Sequence, residues 1–131
     1  MNHNLKLTVI NDEKKHDVPD GAQFQQWANS ISEFNDAAGT VAIKIVSSDE
    51  MQSLNKQFRG KDKPTNVLSF PFESFDDIAM ETAILGDIAL CADVIETEAK
   101  AQHKTLEAHY AHLTIHGILH LLGYDHIEDN E

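Results

Sequence analysis

His116-Gly-Ile-Leu-His120-Leu-Leu-Gly123-Tyr-Asp-His126 places three histidines at relative positions 0, +4 and +10. With about 3.6 residues per helical turn, His116 and His120 stack on one helix face, where two imidazoles can chelate a single metal ion. Gly123 is the kind of residue that ends a helix in a left-handed turn, so the chain can fold back and bring His126 toward the same ion. Three protein ligands leave one position open. Zinc held this way keeps a water there and lowers its pKa to about 7, the arrangement of a catalytic rather than a structural site. A lone His on an apolar helix is usually a packed side chain, and eight histidines will produce some pairs at +4 by chance. The third histidine, set beyond a helix-ending glycine, is what favours the metal.

Working back from this stretch, Thr105 can cap a helix that runs from Leu106 to Leu122. At about 100° per residue, His109, His112, His116 and His120 fall within a wedge of about 80°, so one face is a histidine stripe. His112, one turn before the ligand pair, is a candidate neighbour of the metal or of the substrate and a candidate proton shuttle. His109 reads as surface or packing. Ile115, Leu119 and Leu122 cover another side and are expected to seat the helix on a sheet.

Further upstream the apolar period alternates between two and 3.6. Residues 4 to 10, with Leu5, Leu7 and Val9 alternating, read as a half-buried strand. Asp20 can cap a helix carrying Phe24, Trp27, Ala28, Ile31 and Phe34 to about Ala38, with Gly39 ending it. Val41, Ile43 and Ile45 give a second strand, and Ser47 or Ser48 caps a short element with Met51, Leu54, Asn55 and Phe58. Thr65-Asn-Val-Leu-Ser-Phe-Pro-Phe is rich in β-formers but contains Pro71, which makes it an edge strand or takes it out of the sheet there. The acidic stretch from Glu73 to Glu81 reads as a solvated loop. Ile84 to Cys91 is a fourth strand, largely buried on both faces; Gly86 permits close backbone approach, and Asp87 needs a hydrogen-bonding partner or a ligand histidine to orient. Ala92 to about Gln102 is helical.

One domain is expected over residues 1–131, long enough for a single core. No apolar run approaches the roughly 18 residues that cross a bilayer, and the N-terminus lacks the apolar segment of a secretory signal. The single Cys91 cannot pair within the chain, which fits a reducing cytoplasm, and the expected location is cytoplasmic with no membrane partner. The net charge of −12 runs against nucleic-acid binding by the chain as a whole. Its distribution is uneven: Lys56, Arg59, Lys61 and Lys63 bring four of the ten basic residues within eight positions, and Arg59 is the only arginine. A guanidinium meets phosphate with a planar fork of donors, which points Arg59 toward an anionic substrate, with Lys61 and Lys63 beside it.

The histidine spacing is similar to the metzincin peptidase signature, but Gly117 stands where those enzymes carry the glutamate that serves as general base. A peptidase is therefore disfavoured. His116-Gly-x-Leu-His120-Leu-x-Gly-Tyr-Asp-His126 resembles instead the signature of the YbeY family, bacterial zinc-dependent endoribonucleases of ribosomal RNA maturation and ribosome quality control. The resemblance continues through Phe58-Arg59-x-Lys-Asp-x-Pro-Thr-Asn-Val-Leu-Ser-Phe-Pro and Leu85-Gly-Asp-Ile, in the order that family shows them. It implies an α/β fold with a small, mostly parallel four-stranded sheet, one antiparallel edge strand and a zincin-like histidine helix beside the cleft. It implies one zinc ion on His116, His120 and His126, and a functional Arg59 near substrate. The chain stops at Glu131, five residues after His126, where members of that family continue, so the resemblance implies a C-terminally truncated chain.

The activity implied is single-strand-specific, metal-dependent endoribonucleolysis in 16S rRNA 3′ end processing, with ribosomal RNA and small-subunit proteins as partners. Cleavage would use the metal to polarise a phosphoryl oxygen or to supply hydroxide, with Arg59 stabilising charge that builds up in the transition state. The nucleophile stays open between metal-activated water and the substrate's 2′-hydroxyl, and imidazole ligands also suit nickel, copper and iron. Two alternatives fit the same residues: a zinc-stabilised ribosome-assembly factor with little catalysis, and a metal-dependent hydrolase of small phosphoesters.

Overall fold

The computed structural model describes residues 5–11, 17–33, 38–71 and 84–123. Four strands, β1 (Leu5–Asn11), β2 (Gly39–Val46), β3 (Val67–Pro71) and β4 (Ile84–Cys91), and four helices, α1 (Gly21–Ser32), α2 (Ser48–Arg59), α3 (Ala92–Ala101) and α4 (Leu106–Leu121), follow in the order β1-α1-β2-α2-β3-β4-α3-α4. The sheet order is β1-β2-β4-β3; β1–β2 and β2–β4 are parallel, and β3 runs antiparallel to β4 at the edge. This is the expected small α/β domain with a mostly parallel sheet and one antiparallel edge strand. Pro71 ends β3 opposite Gly86, where a missing N–H costs an edge strand least.

Helices lie on both faces of the sheet. Phe24, Ala28 and Ile31 of α1, Ile95 of α3, and Tyr110, Leu113 and Ile118 of α4 close the larger core against Val41, Ile43, Ile88 and Leu90. Met51 of α2 closes a smaller one on the other face, against Val46, Leu68, Ala89 and Cys91. Burial raises the pKa of the Cys91 thiol, which is the inert, buried cysteine expected of a small apolar side chain. No helix among the described residues is long and apolar enough to cross a membrane.

One boundary and two burial patterns differ from expectation. Helix α1 stops at Ser32, and Gly39 does not end it: Gly39 is buried and already paired with Leu5 as the first residue of β2. Parallel pairing with β1 requires the chain to be extended by that point, so the helix must end earlier to allow the return; Phe34 lies outside the described residues. Ile115, Leu119 and Leu122 of α4 do pack against the core, but only partly covered; the fully buried residues are His109, Tyr110, Leu113, Thr114, Gly117 and Ile118. That helix packs on the sheet while α1 and α3 pack on it, so its covered face is wider than one apolar stripe. Third, β4 is buried at Gly86 and from Ile88 to Cys91, but Ile84 and Asp87 are exposed. Asp87 sits beside Lys44 and Glu50 on the α2 face, whereas Ile88 faces α4, so Asp87 does not orient a histidine.

Gly86 is the tightest point of the sheet. Its φ is +151°, and a Cβ there would collide with the Phe70 carbonyl oxygen, meet Leu121 Cδ2 at 2.9 Å and meet Pro71 Cα at 3.0 Å. It adjoins the register shift between Thr40 and Val41. Gly86→Ala should therefore combine overpacking with backbone strain and cost about 3 kcal/mol, read as a lower urea midpoint at unchanged slope. A change under about 0.5 kcal/mol would mean that β3 and α4 yield freely.

Candidate functional site

The basic loop is built by the end of α2. Gly60, at φ +72°, donates its N–H to the Lys56 carbonyl and Lys61 N–H reaches the Asn55 carbonyl at 3.2 Å, so the helix closes in a left-handed cap directly after Arg59. Asn55, 2 % exposed, donates its Nδ2 to the Lys63 carbonyl at 2.8 Å, and Gln52 Nε2 donates to Asp62 Oδ1 at 3.0 Å. These bonds tie residues 61–63 back onto the helix. Lys56 and Arg59 fall in its last turn, where cations oppose the negative end of the helix dipole.

From that cap the chain passes into β3, and a cavity of about 670 Å³ opens along it. Arg59 and Phe58 line one side, Thr65 to Pro71 the floor, and His116 and His120 of α4 the other. Thr105 caps α4 by accepting from Ala108 N–H at 3.1 Å, and Gly123, at φ +98°, turns the chain just beyond its end, both as the sequence suggested. Ser69 Oγ donates to the Gly117 carbonyl at 3.3 Å, pinning β3 to the turn of α4 that carries both histidines.

The His116 and His120 rings have centroids 5.0 Å apart and share one cavity, which suits two imidazole ligands of one ion. His126, the third expected ligand, lies outside the described residues, and among the described residues no three His, Cys, Asp or Glu side chains are grouped to hold a metal. The acidic stretch from Glu73 to Glu81 also lies outside them. Lys61 and Lys63 are exposed on the loop and do not line the cavity. His112 of α4 does not line the cavity either: its ring stacks at 6.2 Å on His116, and partial burial, Lys104, His116 and His109 lower its pKa in that order.

Gly117 explains more than its motif position suggested. It is buried, and a Cβ would meet Ile88 Cδ1 at 3.0 Å and Ser69 Oγ at 3.3 Å. Position 117 thus faces the sheet, and a glutamate there would enter the core rather than the cavity. Sequence reasoning also missed Asn66, which lines the cavity, and the buried contacts of His109.

A mixed four-stranded sheet with a histidine pair and an arginine lining one cleft defines a small α/β protein whose candidate site lies along the antiparallel sheet edge. The family model described as endoribonuclease YbeY matches residues 8–131, and the chain belongs to that family of RNA-cutting hydrolases. The chain is also similar to TM1509 from Thermotoga maritima, known from a solution structure, at 31% identity and a TM-score of 0.60, over 97% of this chain and 78% of that one.

Proposed function

We propose that this chain is a metal-dependent, single-strand-specific endoribonuclease of ribosomal RNA maturation, and that the cavity between Arg59 and the His116–His120 pair is its active site. The observation that carries this reading is the convergence of the one arginine in the sequence with two histidines of α4 on a single cleft. His116, His120 and His126 would hold the ion, zinc by preference for imidazole in a three-ligand site. When bound, such an ion supplies Lewis acidity and a water acidic enough to ionise near neutral pH.

The chain's own groups supply the rest. Arg59 binds a phosphate through its fork of donors and meets the charge that grows on the phosphoryl oxygens in the transition state. Strand β3, at the sheet edge, offers extended backbone along which a single strand can lie. Lys61 and Lys63 stand outside the cleft and steer the flanking backbone. With a net charge of −12, affinity away from this patch is weak, which suits a protein that meets ribosomal RNA at the 16S 3′ end beside small-subunit proteins in the cytoplasm.

Dialysis against a chelator should reduce cleavage of a single-stranded ribosomal RNA fragment to background, and zinc should restore it. The product ends then identify the nucleophile: a 2′,3′-cyclic phosphate marks attack by the ribose hydroxyl, and its absence marks water. Undiminished cleavage after verified metal removal would sink the reading. Small-subunit binding without any cleavage would favour the assembly-factor alternative, which the acidic surface also suits.

A further inference from the structure

Asn66 enters the same cavity as Arg59, His116 and His120, and two separate bonds fix it there. Its carbonyl accepts from Cys91 N–H at 3.0 Å, holding the backbone against the end of β4. Its side-chain Nδ2 donates to Glu98 Oε1 of α3 at 2.9 Å. The same oxygen lies 2.9 Å from Nε2 of His109, which is 3 % exposed. On the other side of that ring, Lys104 Nζ lies 3.4 Å from Nδ1. An ammonium only donates, so Nδ1 is the acceptor and Nε2 carries the hydrogen given to Glu98. The direction of every bond is thereby set: Lys104 donates to His109, and both His109 and Asn66 donate to Glu98.

Three residues from α3, α4 and the link between them thus converge on one amide of the cavity. One N–H of the amide is given to Glu98, which sets the amide plane, and Oδ1 makes no hydrogen bond among the described residues. That oxygen is an uncharged acceptor on a residue that lines the same cavity as Arg59. Phosphate oxygens need donors and are served by Arg59. The neutral donors of a nucleotide, its 2′-hydroxyl and its base N–H groups, need an acceptor that does not repel the phosphate beside them.

We propose that Asn66 accepts a hydrogen bond from a neutral donor of the bound nucleotide, and that Glu98 and His109 are positioning residues that hold its amide for that contact. This rests on reading the cleft as the RNA site. Fluorescently labelled single-stranded RNA and DNA of one sequence should be titrated into the as-isolated wild-type protein and into Asn66→Ala, with oligonucleotide length checked after each titration. Asn66→Ala should lose roughly three- to tenfold in RNA affinity, the range of one neutral hydrogen bond, with an unchanged salt slope because no phosphate contact is removed. Loss on RNA with DNA affinity unchanged assigns the 2′-hydroxyl as donor. Equal loss on both, reproduced in wild type by removing one base N–H, assigns the base. Wild-type affinity for both strands in Asn66→Ala overturns the proposal.

The positioning role has its own readout. Glutamine can both give and accept a hydrogen bond as His109 does, so His109→Gln should bind RNA within about twofold of wild type, whereas His109→Leu should share the loss of Asn66→Ala. Equal loss in both His109 variants, with unaltered melting, overturns that role. Failure of the nuclease reading is distinguishable: a wild-type protein with no metal-dependent cleavage but an Asn66-dependent affinity refutes that reading and leaves this one standing.

Discussion

His116→Ala should leave the protein folded and reduce RNA cleavage by at least about 10³-fold, with metal binding lost or greatly weakened in parallel. His116 and His120 stand a turn apart on α4 and face one cavity, with ring centroids 5.0 Å apart. Removing one imidazole from the proposed three-ligand set would leave too few protein donors to retain zinc at useful affinity. The cost to the fold is small. His116 is only half-buried, its neighbours in the core are supplied by Tyr110, Leu113 and Ile118, and alanine is a better helix former than histidine. The expected stability change is under about 1 kcal/mol without metal. Metal content by elemental analysis, a thermal melt and a cleavage rate on one preparation decide the matter. Full cleavage by a variant shown to lack metal would separate the histidine pair from the chemistry. Gly117→Ala is a useful contrast: it leaves both imidazoles in place but presses a methyl on Ile88, so it should lower stability with metal stoichiometry kept.

The local signals that were legible in the sequence are those carried by a single element. Alternation marked β1 and β2, Asp20, Ser47 and Thr105 proved to be caps, and Pro71 announced an edge strand. What escaped was set by partners distant in the chain. The periodicity of α4 leaves His109 open between surface and packing; it is packed, and nothing local reveals that Glu98 of α3 and Lys104 will meet its two nitrogens. Gln25 is similar: its amide accepts from Leu7 N–H at 3.0 Å and donates to the Leu5 carbonyl at 2.7 Å, closing part of the exposed edge of β1 from a helix that looks merely amphipathic. Asp87 failed in the opposite direction. An acid in an apolar run calls for a partner, but the pleat turns Asp87 away from α4 to an exposed position on the α2 face. At the site, Arg59 could be singled out by rarity and the histidines by spacing, whereas Asn66 carries no signal of its own until the fold shows which cavity it enters.

Arg59 provides a test that separates charge from geometry. Arg59→Lys keeps the positive charge at the end of α2 and loses the planar fork, so RNA affinity and its salt dependence should change little while the maximal cleavage rate falls on the order of 10²-fold. Arg59→Glu removes the charge and adds an opposing one; cleavage should fall by about 10³-fold or more, and the slope of log affinity against log salt should shrink by about one phosphate contact. Neither change should unfold the protein. Arg59 is exposed, makes no hydrogen bond or ion pair among the described residues, and a carboxylate in its place meets only the unfavourable end of the helix dipole, worth about 0.5 kcal/mol. A merely electrostatic role predicts a different ranking, with Arg59→Lys close to wild type in both rate and affinity. Residues 61–63 sharpen the comparison, because Asn55 and Gln52 hold that loop without help from the guanidinium. Lys61→Ala and Lys63→Ala should therefore weaken binding by a few-fold each and leave the rate at saturating RNA unchanged. If the two lysine variants lowered the saturated rate as far as Arg59→Lys does, the chemistry would belong to the loop as a whole rather than to the one side chain that enters the cleft opposite His116 and His120.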